Sequence, residues 1–132
     1  MHTKTIMIVE DMEFDRQMIA SVVEKLGFHY IVCHSGDEAI NLLKQQHDNI
    51  DLMLLDLFMP TMDGISILGH CKSRYPNLPV VMVSSTQSED DLEQIRKWRA
   101  NAFVSKPIDF QKLSDAIVTV LEDTEKKDAS SG

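Results

Sequence analysis

Three short apolar runs, each about the length of a β-strand, constrain the fold of this chain more than any other feature. They cover residues 5–9, 52–55 and 80–83, and none of them alternates between apolar and polar side chains. Strands that are apolar along their whole length have both faces covered, which is typical of parallel sheets. The runs therefore predict a parallel sheet with helices packed on both sides.

Segments with apolar residues at helical spacing separate these runs. Two weaker strands are predicted over residues 30–33 and 102–105. Helix boundaries are predicted from glycine, serine and proline residues, at Gly27, Ser35, Pro76 and Ser88, and Pro107 is expected to stop the fifth strand. The alternation gives five βα units, which predicts a single α/β domain with an open, doubly wound, five-stranded parallel sheet. A closed βα barrel needs more units than 132 residues supply.

The composition is that of an ordinary globular protein, with 43% hydrophobic and 26% charged residues. It excludes a wholly disordered chain, and no apolar run approaches the roughly 20 residues of a membrane-spanning helix. We expect a folded domain over residues 1–122 and, at 123–132, a flexible tail or linker stub without large apolar residues. The sequence leaves open whether an output domain follows.

The formal net charge of the chain is −8. A field of this sign repels phosphate backbones and anionic lipids, so neither nucleic acid nor a membrane is expected as a direct partner. Metal cations and basic protein surfaces remain candidates. The two cysteines, Cys33 and Cys71, have no CxxC spacing and lie in apolar segments. We therefore expect buried thiols and a reducing, cytoplasmic environment.

Polar residues directly follow the predicted strands. Glu10 and Asp11 follow the first strand, Asp56 the third, Ser84 the fourth and Lys106 the fifth. In open α/β sheets the ligand site lies at the carboxyl ends of the strands, so we expect these side chains to share one cleft. Clustered carboxylates suit Mg²⁺, and an aspartate can become an acyl phosphate. Any one of these residues alone is often only a turn residue or helix cap, but the combination favours a phosphoryl-transfer site.

Four sequence segments carry a family resemblance. They are IMIVED at 6–11, LLDLFMPTMDG at 54–64, PVVMVSS at 79–85 and FVSKP at 103–107. From about residue 5 to about residue 121, the chain resembles the CheY-like receiver domains of two-component response regulators. The resemblance implies a flavodoxin-like fold with the strand order 2-1-3-4-5. It also implies Mg²⁺ as the cofactor, with Mn²⁺ as an acceptable substitute.

The resemblance assigns roles to the acidic residues. Asp56 matches the phosphoacceptor of the family. Glu10 and Asp11 match the acidic pair that holds Mg²⁺, Asp11 directly and Glu10 through water. The backbone carbonyl of Phe58 is expected to complete the metal site.

The resemblance also assigns the residues that contact the phosphoryl group and signal its presence. Lys106 and Ser84 match the two groups that bind phosphoryl oxygens, and Ser84 is the switch hydroxyl. Phe103 occupies the position of the aromatic switch residue, although a plain strand aromatic is the alternative interpretation. The peptide bond between Lys106 and Pro107 is expected to be cis.

The chain departs from the family pattern at three places. Ser85 stands where alanine is common, and it is still small enough to leave the phosphate accessible. Arg99 precedes Ala100 where the family usually has glycine, which puts the turn after helix four in question. Phe58 is a large apolar residue where polar residues often assist hydrolysis. We hypothesise that Phe58 limits attack of water and lengthens the life of the phosphorylated state.

The favoured function is a phosphorylation-activated switch. A sensor histidine kinase or a phosphotransfer protein would phosphorylate Asp56. The response would be altered binding of a downstream protein, or dimerisation, through helix four, strand five and helix five. Trp98 is a candidate for a partner face, with a half-buried helix residue as the alternative.

The sequence favours two other functions less strongly. A phosphorylation-independent scaffold is disfavoured because the acidic pair, Asp56, Ser84 and Lys106 are all present. An aspartyl phosphatase is disfavoured because Phe58 stands where such enzymes carry their acid. A turnover enzyme is therefore not expected, although the domain would assist its own phosphorylation and dephosphorylation.

Overall fold

The computed structural model describes the backbone of residues 3–59 and 63–131, and their side chains up to residue 126. Five strands and five α-helices alternate within this part of the chain. The strands are β1 Thr5–Val9, β2 His29–Cys33, β3 Leu52–Asp56, β4 Val80–Ser84 and β5 Ala102–Ser105. The helices are α1 Glu13–Lys25, α2 Gly36–Gln46, α3 Gly64–Arg74, α4 Glu89–Lys97 and α5 Phe110–Ser131. A short 3-10 helix, His47–Asn49, links α2 to β3.

The five strands form one parallel sheet in the order β2-β1-β3-β4-β5. This confirms the doubly wound, flavodoxin-like α/β fold that the sequence predicted. β3 and β4 lie inside the sheet and are buried along their whole length. Their continuous apolar sequences follow from that position, because no face of either strand meets water.

Side chains of successive strand residues enter two separate cores. Ile6 and Ile8 of β1 point to one core, and Met7 and Val9 point to the other. The first core is closed by α1 and α5, with Ile19, Val22, Val23, Leu113 and Ile117. The second is closed by α2, α3 and α4, with Ala39, Leu43, Ile67, Leu68 and Ile95. Each large side chain buried in this way contributes about 1.5–3 kcal/mol to folding.

Local side-chain bonds fix where several helices begin and end. The hydroxyl of Ser35 accepts a 3.2 Å hydrogen bond from the N–H of Glu38 at the start of α2. Ser88 caps α4 as predicted from the sequence. Gly27 follows α1 with a φ of +84°, a conformation in which a side chain would be strained. The predicted boundaries thus correspond to specific capping contacts.

The turn after α4 forms even though it lacks the family's glycine. Arg99 takes a left-handed φ of 60°. Its N–H donates to the carbonyl of Arg96 at 2.9 Å, and the N–H of Ala100 donates to that of Ile95 at 3.1 Å. These bonds close the end of the helix in the way glycine usually does, at a conformational cost that glycine avoids.

Helices α3 and α4 approach each other closely at Gly69 and Trp98. A Cβ atom on Gly69 would lie 3.0 Å from the indole ring of Trp98, so a side chain there would require the indole to shift. Trp98 follows the last residue of α4 and is 37% exposed. It is therefore packed on one side and open to solvent on the other.

The C-terminal segment is helical in its backbone, because α5 continues to Ser131. The domain boundary at residue 122 stays a prediction. The flexibility of residues 123–132 stays a prediction. Cys33 and Cys71 are both free and buried, and burial raises the pKa of each thiol to about 12. Among the described helices, none combines the length and apolar character needed to cross a membrane.

Candidate functional site

The parallel register gathers the predicted site residues at one edge of the sheet. Asp56 is the last residue of β3, and Ser84 is the last residue of β4. Glu10 and Asp11 follow β1, and Lys106 follows β5. Because all strands run the same way, their carboxyl ends meet at this edge. The structure thus brings together the five residues that the sequence placed in one cleft.

Three carboxylates form an acidic group. Glu10, Asp11 and Asp56 each place an oxygen within 4.8 Å of the other two. Glu10 and Asp56 are only 1% and 3% exposed. Oδ1 of Asp11 is buried and has no hydrogen-bond partner among the described residues. A divalent cation would supply the missing partner, so the pocket can bind a metal ion.

Burial changes the acidity of the group. Burial, followed by the charge of Asp56, raises the pKa of Glu10 to about 7. Burial also raises the pKa of Asp56, against the opposing charge of Lys106 and the N–H of Phe58. That N–H lies 3.4 Å from Oδ1 of Asp56. Without a cation, the group therefore holds a proton up to a higher pH than exposed carboxylates do.

Lys106 is the cation of the site. Its Nζ lies 2.8 Å from Oδ2 of Asp15, 3.1 Å from Oε2 of Glu10 and 3.6 Å from Oδ1 of Asp56. Burial alone would lower the pKa of Lys106. The hydrogen bond to Asp15 and the charges of Asp56 and Glu10 outweigh burial and raise it. Lys106 therefore stays charged at neutral pH.

The loop from β1 to α1 is held by contacts that sequence reasoning missed. Nη1 of Arg16 donates to the carbonyls of Glu10 and Asp11 at 3.4 Å and 3.2 Å. The N–H of Met12 donates to Oε1 of Glu10 at 3.2 Å. Asp15, in the first turn of α1, was also missed.

Ser84 connects the site to α4. The side chain of Ser84 is fully buried, and its Oγ accepts a 3.2 Å hydrogen bond from the N–H of Thr86. The hydroxyl of Thr86 donates to Oδ2 of Asp91 at 2.8 Å and accepts from the N–H of Ser88 at 3.2 Å. Thr86 was not predicted as a site residue. Its bonds lead from the end of β4 into the first turn of α4.

Comparison with known proteins decides the family. A model of the response regulator receiver domain matches residues 6–118. The chain belongs to this family.

Relatives of this receiver domain cover nearly its whole length. The polar-differentiation response regulator DivK of Brucella ovis is 32% identical over 123 residues, which are 92% of this chain and 98% of DivK. A CheY-like receiver domain protein of Methanospirillum hungatei superimposes with a TM-score of 0.88 at 22% identity, covering 96% of this chain and 99% of that one. A chain in the CheX-CheY-BeF3-Mg²⁺ complex of Borrelia burgdorferi has a TM-score of 0.84 at 30% identity, covering 89% and 88%.

The loop after Asp56 shapes the entrance to the receiver site. Gly64 approaches this loop so closely that a Cβ atom would lie 2.5 Å from the carbonyl oxygen of Asp56. Phe58 is 55% exposed and, with Met12, lines an open cavity of about 640 Å³ that also borders Asp11. Residues 60–62 of the sequence motif lie outside the described residues.

The remaining predicted residues lie on or after β5 of the receiver domain. Phe103 pairs with Met82 in the sheet and packs, half-buried, against the core that contains Ile95. The peptide bond between Lys106 and Pro107 is cis, as the resemblance implied. The roles of Phe103 as a switch and of the Phe58 carbonyl as a metal ligand stay predictions.

Proposed function

We propose that this receiver domain is a phosphorylation-activated signalling switch whose acceptor is Asp56. Asp56 supports this most directly: its carboxylate is buried at a strand end, 3.6 Å from the ammonium of Lys106 and beside two further carboxylates. A phosphohistidine of a sensor kinase or phosphotransfer protein is the expected donor. An oxygen of Asp56 forms the new P–O bond, the P–N bond breaks, and its electron pair remains on the imidazole nitrogen.

Asp11 and Asp56 are the residues that would hold Mg²⁺ directly, with Glu10 acting through water and the Phe58 carbonyl completing the set. The orphaned Oδ1 of Asp11 supports this assignment. The bound cation would neutralise negative charge on the phosphoryl oxygens. We expect Mn²⁺ to substitute, because it favours the same oxygen ligands. Magnesium in the Borrelia burgdorferi complex agrees with this choice.

Lys106 and Ser84 orient the phosphoryl group. Lys106 donates from its ammonium to one oxygen, and the hydroxyl of Ser84 donates to another. When Ser84 turns toward the phosphoryl group, it leaves the N–H of Thr86, which now donates to it at 3.2 Å. The change passes through Thr86 to α4 and, with rotation of Phe103, alters the face formed by α4, β5 and α5.

The partners are proteins. The donor is a histidine kinase or phosphotransfer protein, and the output is binding of a downstream protein or formation of a homodimer. The net charge of −8 disfavours direct contact with nucleic acid or an anionic membrane. The two free thiols support action in the reducing cytoplasm. The domain contributes to its own phosphorylation and dephosphorylation but is not a turnover enzyme.

Intact-mass spectrometry after incubation with Mg²⁺ and acetyl phosphate tests this function. We expect one phosphoryl adduct that requires Mg²⁺ and is absent from Asp56→Ala. If the parent protein forms no adduct with acetyl phosphate or with competent phosphotransfer proteins, the scaffold function replaces the switch. Sustained hydrolysis of a small phosphomonoester would instead favour the phosphatase.

A further inference from the structure

Asp15, not the acceptor Asp56, is the closest carboxylate to Lys106. The Nζ of Lys106 lies 2.8 Å from Asp15 and 3.6 Å from Asp56. The side chains of Lys106 and Asp15 are 12% and 16% exposed, so water screens the pair only weakly. The ammonium is therefore held closer to the carboxylate of α1 than to that of the acceptor.

The position of Asp15 is fixed by its surroundings. Asp15 lies in the first turn of α1, and the next residue, Arg16, binds the carbonyls of Glu10 and Asp11. Asp15 is not one of the three carboxylates grouped as candidate metal ligands. Mg²⁺ bound by that group would consequently leave Asp15 as a counter-charge for Lys106.

We propose that Asp15 is a positioning residue that competes with the phosphoryl group for Lys106. An ammonium has three N–H donors, and here it is shared among Asp15, Glu10 and Asp56. A phosphoryl group on Asp56 must attract Lys106 against its ion pair with Asp15. Asp15 thereby slows phosphorylation and raises the donor concentration that the switch needs. This inference rests on the proposed function of Asp56.

The test is the rate of phosphorylation of Asp15→Asn by acetyl phosphate with Mg²⁺. Asparagine keeps the size and the acceptor oxygen of aspartate but loses its charge. In the measured step, an oxygen of Asp56 bonds to phosphorus while the bond from phosphorus to the acetyl oxygen breaks, and acetate leaves with the electron pair. We expect about tenfold faster formation of the adduct, because the substitution removes a negative charge that holds the ammonium a few ångströms away.

Glu13→Gln is the matched control. Glu13 lies in the same first turn of α1, is exposed, and accepts a 3.2 Å hydrogen bond from Gln17. Its substitution makes the same change in net charge and in charge at the helix N-terminus. We expect the phosphorylation rate of Glu13→Gln to match that of the parent protein. A rate raised as much as in Asp15→Asn would overturn the inference, because the effect would then be general.

A double-mutant cycle tests whether Asp15 acts through Lys106. In a Lys106→Gln background, Asp15→Asn should no longer change the rate. Asp15→Glu, which keeps the charge, should retain the slow rate of the parent. If Asp15 had only a structural role, Asp15→Asn would change thermal stability, and its effect on the phosphorylation rate would persist after Lys106 is replaced. If Asp15→Asn fails to fold, Asp15→Ser serves as the second uncharged variant.

The outcomes separate this inference from the proposed function. No adduct on the parent protein from any donor would overturn both. An adduct on the parent, with an equal or lower rate in Asp15→Asn, would overturn only the role of Asp15. An acceleration that persists unchanged in the Lys106→Gln background would also overturn it.

Discussion

The hydroxyl of Thr86 donates a 2.8 Å hydrogen bond to the carboxylate of Asp91, and this contact joins the end of β4 to the first turn of α4. Thr86 is buried, and it also holds the N–H of Ser88. Ser84 contacts the same segment through the N–H of Thr86. The residue expected to sense the phosphoryl group is thus only two residues before Thr86, whose contact anchors α4.

Replacing Thr86 with valine should weaken this anchor. Valine keeps the shape of threonine but loses two hydrogen bonds, one of them to a charged carboxylate. We expect the free energy of unfolding to fall by about 1–3 kcal/mol. Urea denaturation measures the change, and Ser85→Ala, at an exposed neighbouring position, is the control. An unaltered denaturation midpoint would show that the bonds of Thr86 contribute nothing to stability.

The stability of the metal-free domain should fall as the pH rises toward 7. The pKa of Glu10 is about 7 in the folded chain, above its ordinary value of 4.5, so the folded state binds this proton more tightly. The contribution of this proton to folding stability is fully present below pH 4.5 and is lost as the pH rises through about 7. With a chelator present, we expect the free energy of unfolding of the parent protein to fall by about 2–3 kcal/mol between pH 5 and 8. Glu10→Gln should not show this fall.

Denaturation midpoints across this pH range measure the effect, with Glu24→Gln as a control at an exposed glutamate. Mg²⁺ competes with the proton, so it should raise the melting temperature more at pH 8 than at pH 6. Equal stabilisation at both values would contradict the protonated state of Glu10.

The left-handed residue after α4 gives a stability prediction with an internal control. Arg99→Gly should raise the free energy of unfolding by about 0.5–1 kcal/mol, because glycine adopts a φ of 60° without strain. Gly27→Ala should lower the free energy of unfolding by a similar amount, because alanine is strained at a φ of +84°. No atom lies within 4 Å of the added Cβ, so the backbone strain acts alone. Thermal melts of both variants check the pair, and changes of the same sign in the two would refute the account.

Phe58 should control the life of the phosphorylated state. Its exposed ring borders the cavity beside Asp11, and we expect the ring to restrict the approach of water to Asp56. We expect Phe58→Asn or Phe58→Glu to shorten the lifetime several-fold, as timed by phosphate release. Phe110→Asn, at another exposed phenylalanine, is the control. A lifetime equal to that of the parent protein would rule out the shielding role.

Sequence reasoning succeeded where one physical requirement dominated. Residues 52–55 and 80–83 had to be apolar throughout because β3 and β4 are buried on both faces. The site residues could be grouped because parallel strands end at the same edge. These two inferences need only the order of strands and helices along the chain, and not the orientation of individual side chains.

It failed where partners depend on the rotation of a helix or on loop geometry. Asp15 and Arg16 looked like ordinary surface residues of α1, yet both face the site. Thr86 follows Ser84 in a loop with no periodic pattern. The continuation of α5 to Ser131 was missed because its last turns lack the apolar stripe on which the helix prediction relied. Glutamate and lysine in that segment are nevertheless good helix formers.

The position of Trp98 beside Gly69 makes intrinsic fluorescence a probe of how α4 lies on α3. Trp98 is the only tryptophan of the chain, and its ring lies partly on α3 and partly in water. A displacement of α4 relative to α3 would change the polarity around the indole, and with it the wavelength and intensity of its emission. Fluorescence of the unlabelled protein would therefore follow the proposed transition of α4 in real time, without a dye or an added reporter.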